Sequence, residues 1–146
     1  MSKVTDGGFL ITKIHHLAGR IFSKKLKEFD IQINPGQGRI LFALWRGDGI
    51  SINELARRTA LGKSTLTDML DRLEESGYLL RTPSQKDRRK ILITLTEKTK
   101  RVHQKYNDVS ILMSEIFYDG FSSGEISEFE EYLRRLLDNL VKYESE

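Results

Sequence analysis

The stretch TPSQKDRRKILITLT at residues 82–96 combines a basic cluster with a single acid. Five consecutive residues, Lys86 to Lys90, are charged, and four of them are cationic. Cations attract a polyanion, but a cluster made only for attraction gains nothing from Asp87 at its centre. The chemistry that fits is polyanion binding in which a carboxylate holds and aims one arginine.

The segments that flank this cluster, YLLRT and ILITLT, are rich in β-forming residues and predict a hairpin with the cluster at its tip. Asp87 and Arg89 stand two residues apart, so on an extended strand they would share one side and form a forked ion pair. The other cations of the cluster are expected to contact phosphates: Lys86, Arg88 and Lys90. The alternative is a solvated turn whose exposed ion pair contributes well under about 1 kcal/mol.

A second group with binding chemistry precedes the hairpin, in residues 63–76. Leu66, Met69, Leu70 and Leu73 repeat at helical spacing and predict a helix with one buried stripe. Short hydroxyl and charged side chains, suited to base edges and phosphates, occupy the other face. These side chains are Lys63, Ser64, Thr65, Thr67, Asp68 and Arg72. An ordinary solvated face is the alternative for this helix taken alone.

The rest of the chain divides into helices. Apolar residues at helical spacing predict a long amphipathic helix over residues 9–29. Side chains able to cap a helix N-terminus mark the others: Asn34 with Pro35 and Gln37, Ser51 with Glu54, Thr96, and Ser122 with Glu125. A tight connection at Gly62 separates the short helix that begins after Ser51 from the helix at 63–76.

A short helix, a tight turn, a second helix and a hairpin form a winged helix-turn-helix. We therefore predict a mainly α fold with a small β-hairpin wing, flanked by N- and C-terminal helices. In such modules the second helix enters the major groove of DNA. The wing, here residues 82–91, can reach the minor groove, whose negative potential attracts arginine.

Composition limits the class of protein. The chain has 146 residues, enough for one domain, with 38 % apolar and 31 % charged residues and no cysteine. It lacks an apolar run of roughly 18 residues that would suggest a membrane span, and its N-terminus does not resemble a secretory signal, so a cytoplasmic location is expected. The net charge is +4 in residues 1–50, +4 in 51–100 and −5 in 101–146, which favours one polyanion-binding face.

The segment LTDMLDRLEESGYLLRTPSQKDRRKILITLTEK, residues 66–98, resembles the MarR family of winged-helix transcription regulators, as does INELARRTAL. The family pattern is a DNA-reading helix ending in LE..G, an arginine-bearing strand, D.R in the wing, and LTE. Asp87 and Arg89 match the wing pair, while Ser64, Thr65, Thr67 and Arg72 fall on the DNA-reading helix. The glycine that usually follows LTEK is Thr99 here, in the first turn of a helix.

The resemblance implies one domain over residues 1–146, with residues 34–98 as the DNA-binding part and residues 9–29 and 97–143 as dimerisation helices. It implies a homodimeric repressor of a palindromic operator in double-stranded DNA. Independently, apolar stripes at both ends of the chain exceed what a small central module can cover, which favours burial against a second copy. One compact helical core is the alternative.

Relatives often bind small, frequently aromatic anions between the first helices, the fifth helix and the winged module, so the resemblance raises the hypothesis of a small aromatic or anionic effector that releases DNA. His16 and Arg20 are candidates for its positive charge and Trp45 for an apolar wall; packing or surface exposure is the alternative for each. The absence of cysteine excludes the thiol-oxidation switch that some relatives use.

Other functional motifs are incomplete. GKST at 62–65 lacks the first glycine of a phosphate-binding loop, because Arg57 stands there. The three histidines have no catalytic or zinc-binding spacing, so neither enzyme activity, a cofactor nor a metal is expected. Two alternatives remain: a helical interaction module or anti-activator that has lost DNA binding, and a single-strand binder. The second would need aromatic stacking platforms, which residues 63–76 and 84–90 lack.

Overall fold

The computed structural model describes residues 3–145, which form six helices and one three-stranded antiparallel sheet. The helices are α1 (Gly7–Glu28), α2 (Pro35–Trp45), α3 (Ile52–Thr59), α4 (Lys63–Glu75), α5 (Glu97–Phe117) and α6 (Ser123–Glu144). The strands are β1 (Ile50–Ser51), β2 (Leu79–Pro83) and β3 (Ile91–Leu95). The predicted mainly α fold with a small hairpin is confirmed. No helix within residues 3–145 is long and apolar enough to cross a membrane.

Reciprocal side-chain caps begin helices α2 and α6, as predicted. Asn34 Oδ1 accepts a hydrogen bond from the Gln37 backbone N–H at 2.8 Å, and Gln37 Oε1 accepts one from the Asn34 N–H at 3.1 Å. Ser122 and Glu125 form the same arrangement, at 3.1 and 2.8 Å. Each cap satisfies backbone donors that the first helical turn leaves without an intrahelical partner.

Two other predicted caps act differently. The Ser51 hydroxyl accepts from the Glu54 N–H at 3.2 Å, but the Glu54 carboxylate binds two arginines of the same helix instead of returning to Ser51. The capping box predicted for α3 is therefore only half formed. Thr96 does precede the first residue of α5, but its hydroxyl donates to the Gly77 carbonyl at 2.6 Å and so connects the start of α5 to the turn that follows α4.

The sheet is centred on β3, with β1 on one side and β2 on the other. Ile93 pairs with Arg81 of β2 and with Ile50 of β1, and its own side chain is buried. Strand β1 was not predicted, because two residues are too short to show an alternating pattern. Its pairing links the entry to α3 with the second strand of the wing.

The apolar core of the winged module combines the stripes of α2, α3 and α4 with β2, β3 and the middle of α5. Its buried members include Leu26, Ile40, Leu41, Leu44, Leu55, Leu66, Leu70, Leu73, Leu79, Ile93, Tyr106 and Val109. Gly38 lets α2 approach the Tyr106 ring, because a Cβ at this position would overlap the ring and its hydroxyl. This core holds α4 and the hairpin on one rigid support.

Thr99, where the family pattern has glycine, lies in the first turn of α5 as predicted. Its side chain is completely buried, and its hydroxyl donates to the Tyr78 carbonyl just before β2. A buried carbonyl needs such a partner. The departure from the family pattern therefore adds a hydrogen bond between α5 and the wing.

The chain divides into two compact units, residues 1–110 and residues 111–146. The first holds α1 to α4, the sheet and most of α5; the second holds the end of α5 and α6. Within the second unit, the Tyr118 hydroxyl donates to the Glu130 carboxylate at 2.7 Å, and its ring contacts Phe121 and Phe129 edge to face.

Candidate nucleic-acid interface

A short turn sets the direction of α4 relative to α3. Ala60 adopts the left-handed conformation with φ of 57°, whereas Gly62 is extended and forms the N-cap of α4. The sequence predicted a tight connection at Gly62. The residue whose left-handed backbone turns the chain is instead Ala60. Thr59 supports this turn, because its hydroxyl donates to the Leu55 carbonyl at 2.8 Å.

Helix α4 has one buried and one solvent-facing side, as its leucine spacing predicted. Leu66, Leu70 and Leu73 are completely buried, and Met69 is half-buried. The predicted DNA-binding residues Lys63, Ser64, Thr65, Asp68 and Arg72 are all exposed. The structure therefore gathers these five on a single solvent-facing surface.

Thr67, the sixth predicted DNA-binding residue on α4, differs from its neighbours. It is half-buried, and its hydroxyl donates to the Lys63 carbonyl at 2.8 Å. A hydroxyl whose hydrogen is bound to the helix backbone keeps its oxygen lone pairs as acceptors. Thr67 can therefore accept a hydrogen bond while its methyl group contacts an apolar surface.

Arg81 ties the wing to α4, a role that was not predicted from the sequence. Its Nη2 donates to Asp71 Oδ1 at 2.6 Å and to Glu74 Oε1 at 2.9 Å, and its backbone N–H donates to Glu74 Oε2 at 3.1 Å. The side-chain hydrogen bond from Arg81 is the main cause that lowers the pKa of the Glu74 carboxyl below its ordinary value. The sequence does contain a signal for these contacts. Two acids, Asp71 and Glu74, lie one turn apart on α4, and the strand that follows carries Arg81.

The wing tip, residues 84–90, is held by its own backbone. Ser84 N–H donates to the Lys90 carbonyl at 2.8 Å, and Lys90 N–H donates to the Asp87 carbonyl at 2.9 Å. The Ser84 hydroxyl accepts from the N–H groups of Lys86 and Asp87 at 3.2 and 3.4 Å. These bonds give the tip a defined conformation, from which the exposed side chains of Lys86, Arg88 and Lys90 project.

Asp87 and Arg89 form the predicted forked pair. Asp87 Oδ1 accepts from Arg89 Nε at 3.1 Å, and Oδ2 accepts from Nη2 at 3.4 Å. The side-chain hydrogen bond from Arg89 is the main cause that lowers the pKa of the Asp87 carboxyl. The Arg89 side chain is nevertheless 92 % exposed, so it is held in place while remaining open to a ligand.

The backbone that produces this pair differs from the prediction. The expectation was an extended strand with both side chains on one side, but residues 87–90 form a turn closed by the Lys90-to-Asp87 hydrogen bond. Asp87 Oδ1 also accepts from the Arg89 backbone N–H at 3.1 Å, as aspartate often does at the first position of a turn. The turn itself brings the guanidinium over the carboxylate.

The three candidate effector residues lie on two helices, α1 and α2. His16 and Arg20 are exposed on α1. The Trp45 indole stacks on the His103 ring, with centroids 4.5 Å apart, and contacts Tyr106. Among residues 3–145, no hydrogen bond, ion pair or aromatic contact joins Trp45 to His16 or Arg20.

The turn between α3 and α4, the open face of α4 and the basic hairpin make this a winged helix-turn-helix protein. Residues 33–91 match the model of the MarR family. The chain is 30 % identical over 122 residues to the HTH-type transcriptional regulator SarZ of Staphylococcus aureus (strain bovine RF122 / ET3-1), covering 84 % of this chain and 80 % of SarZ. The chain therefore belongs to the MarR family of winged-helix transcription regulators, which are DNA-binding proteins and not enzymes.

Two further similarities extend over most of the chain. The HTH-type transcriptional regulator TtmR of Methylorubrum extorquens is 29 % identical over 138 residues; the match covers 94 % of this chain, which spans 65 % of the length of TtmR. Reduced AbfR of Staphylococcus epidermidis, solved bound to DNA, superposes with a TM-score of 0.72 at 29 % identity, covering 91 % of this chain and 90 % of AbfR.

Proposed function

We propose that the protein is a homodimeric repressor that binds a palindromic operator in double-stranded DNA. Helix α4 enters the major groove, and the wing enters the adjacent minor groove. The observation that carries the proposal is the Asp87–Arg89 pair at the wing tip, in which a forked ion pair holds an arginine that is 92 % exposed. A held arginine loses less rotamer entropy when it enters a groove.

On this proposal, some residues of α4 and the wing contact bases and others contact phosphates. Arg72 and Asp68 carry groups that pair with guanine and cytosine edges, and Thr67 offers a methyl group and an acceptor. Phosphate contacts come from the remaining cations and hydroxyls, which are Lys63, Ser64, Thr65, Lys86, Arg88 and Lys90. Arg81 keeps the two parts at a fixed distance through its bonds to Asp71 and Glu74.

Dimerisation is supported by apolar side chains that each compact unit leaves exposed. In the first unit, α1 exposes Phe9, Leu10, Ile11, Ile14, Leu17 and Ile21. In the second, α6 is described over its full length and has no buried residue, and it exposes Leu133, Leu136, Leu137, Leu140 and Val141. Such surface is unfavourable in water and fits an interface above roughly 1,000 Å². Residues 9–29 and 97–143 are thus the proposed dimerisation helices of a single domain.

We also propose a small aromatic or anionic effector that releases DNA, with His16, Arg20 and Trp45 as its candidate contacts. Support comes from Trp45, whose Nε1–H is buried and has no hydrogen-bond partner within residues 3–145. A buried donor without an acceptor costs roughly 1–3 kcal/mol. An acceptor on a bound effector would remove that cost.

Selection of binding sites from random duplex DNA with purified protein tests the proposal. An enriched palindrome with half-sites about one helical turn apart is expected. Enrichment of a single half-site would contradict the homodimer, and no enrichment above background would favour an interaction module that has lost DNA binding. Titration of the selected site with small aromatic carboxylates then tests effector release.

A further inference from the structure

The first turn of α5 contacts the connection between α4 and β2. This α4–β2 connection, residues 76–78, turns at Gly77, whose φ is +81°. Each of its three backbone carbonyls accepts a hydrogen bond from a side chain of residues 96–99. The end of a helix leaves carbonyls without intrahelical partners, and here another helix supplies the donors. The path of the chain from α4 into the wing therefore depends on α5.

Lys98 binds the first carbonyl of this connection. Its Nζ donates to the Ser76 carbonyl at 2.7 Å and lies 4.5 Å from the centroid of the Tyr78 ring. The helix dipole favours an ammonium at the C-terminal end of a helix, and the contact with the ring is a cation–π interaction. Lys98 therefore holds both ends of the α4–β2 connection.

Thr99 binds the last carbonyl of the connection, at the position where the family pattern has glycine. Its buried hydroxyl donates to the Tyr78 carbonyl, directly before Leu79 begins β2. The Thr96 N–H also donates to this carbonyl, but at 3.3 Å, which is longer than the usual range of roughly 2.7–3.2 Å. Without the Thr99 hydroxyl, the Tyr78 carbonyl would keep only this long bond to α5 within residues 3–145.

A small change of direction at the α4–β2 connection becomes a large displacement at the wing tip. Strand β2 has five residues and is therefore about 17 Å long, at roughly 3.4 Å per residue. A rotation of about 5° at the start of such a strand moves its far end by about 1.5 Å. That displacement is enough to break hydrogen bonds to DNA, whose lengths vary by only about half an ångström.

We propose that Thr99 and Lys98 are positioning residues for operator binding. By holding the α4–β2 connection, they fix the direction of the hairpin relative to α4, and so the distance between this helix and the wing tip. Thr99 is buried, and the ammonium of Lys98 is bound to a carbonyl and a ring, so both act through residues 76–78. The inference rests on the proposed function and adds α5 to the elements that prepare the protein for DNA.

Residual dipolar couplings of the ¹⁵N-labelled full chain without DNA measure the direction of the hairpin relative to α4. Thr99→Val removes the hydroxyl but keeps the branched shape, and we expect the couplings of β2 and β3 to change relative to those of α4. Thr99→Ser keeps the hydroxyl and should give the wild-type direction. Thr94→Val is the matched control, because it removes a hydroxyl bond to the Leu80 carbonyl inside the hairpin. An unchanged direction in Thr99→Val would overturn the proposal.

Fluorescence anisotropy with the selected operator and with a nonspecific duplex of equal length tests the consequence for binding. Thr99→Val and Lys98→Met should each weaken operator binding about tenfold, the factor that corresponds to about one hydrogen bond. Affinity for the nonspecific duplex and the salt slope should not change, because no phosphate contact is lost. Lys98→Arg keeps a cation at the end of α4 and should recover part of the affinity, whereas Thr99→Ser should recover most of it.

Effects on stability and on positioning are separated by working where every variant is folded. Thermal unfolding gives that temperature range, in which a less stable variant with an intact site binds as the wild type does. Wild-type operator affinity in Thr99→Val would therefore overturn the proposal. So would a salt slope lowered by roughly one unit in Lys98→Met, since Lys98 would then contact a phosphate.

Failure to select any operator would overturn the proposed function and with it the role of both residues in operator binding. The dipolar couplings distinguish that result from a failure of the inference alone, because they are measured without DNA.

Discussion

Arg81 and Glu74 are joined twice: the backbone N–H of Arg81 donates to Oε2 at 3.1 Å, and its Nη2 donates to Oε1 at 2.9 Å. One carboxylate in the last turn of α4 thus binds both the main chain and the side chain of β2. The wing and α4 are thereby fixed relative to each other within the first compact unit. If these two elements enter neighbouring grooves, as proposed above, a spacing fixed before DNA arrives lowers the cost of binding.

Replacing Arg81 should weaken specific DNA binding more than it weakens folding. Arg81→Gln removes the charged side-chain contacts, so we expect the free energy of unfolding to fall by about 1 kcal/mol and the affinity for the selected operator to fall several-fold. Urea denaturation and fluorescence anisotropy measure the two effects. Arg134→Gln, which removes only exposed ion pairs on α6, is the control and should cost close to zero. Wild-type operator affinity in Arg81→Gln would contradict the positioning role.

The contribution of Glu74 should depend on pH. Arg81 lowers the pKa of this carboxyl in the folded protein, so the stabilisation is complete above the ordinary carboxyl pKa of about 4.3 and is lost as the pH falls through the lowered value. The stability difference between wild type and Arg81→Gln should therefore be constant from pH 6 to 8 and shrink under acid (below about pH 4). A difference that does not change down to pH 3 would show that the ion pair is not its source.

At the wing tip, removing either member of the Asp87–Arg89 pair should weaken operator binding. Arg89→Ala is expected to lose about tenfold in affinity with the fold intact, and Arg89→Lys, which keeps the charge but not the fork, should be intermediate. Asp87→Ala should also bind more weakly, although it removes a negative charge. Glu75→Ala removes an exposed acid elsewhere on the module and controls for net charge. A tighter Asp87→Ala complex would refute the orienting role.

Residues that contact phosphates and residues that contact bases should differ in how their replacement changes the salt dependence of DNA binding. Lys86→Ala and Lys90→Ala are expected to weaken binding to all sequences alike and to lower the salt slope by roughly one unit per lost phosphate contact. Thr67→Ala and Arg72→Ala should instead change which sites are preferred. Titrations at several salt concentrations, combined with repeated site selection, measure both quantities. Lysine variants that change the selected motif would reverse these assignments.

The last prediction concerns assembly. Light scattering of the wild type should give twice the monomer mass of 16.9 kDa at micromolar concentration. Leu136→Glu or Leu140→Glu should split or unfold the dimer, because an unpaired carboxylate in an apolar interface is costly. Asn139→Glu places the same charge elsewhere on α6 and is the control. Tight binding of one palindrome by a 16.9 kDa particle would refute the requirement for a dimer.

Local patterns in the sequence determined much of this protein. The leucine spacing of residues 66–73 was enough to predict which side of α4 is buried, because helical periodicity depends only on neighbours three and four residues apart. The caps at Asn34 and Ser122 were predicted for the same reason, since each involves a partner three residues away. The Asp87–Arg89 pair could also be predicted from the sequence, because the two residues are only two positions apart.

Tertiary structure decided the features whose partners lie far apart in sequence. Arg81 finds Asp71 and Glu74 only because β2 folds back along α4, and β1 exists only because Ile50 meets Ile93. Neither contact leaves a periodic signal in the chain. The conformation of Ala60 was also decided by tertiary structure. The packing of α3 and α4 on a common core holds this residue, which is not glycine, at a φ of 57°. Sequence therefore determined which helical surface is polar, whereas packing between distant segments determined how that surface is aligned with the wing.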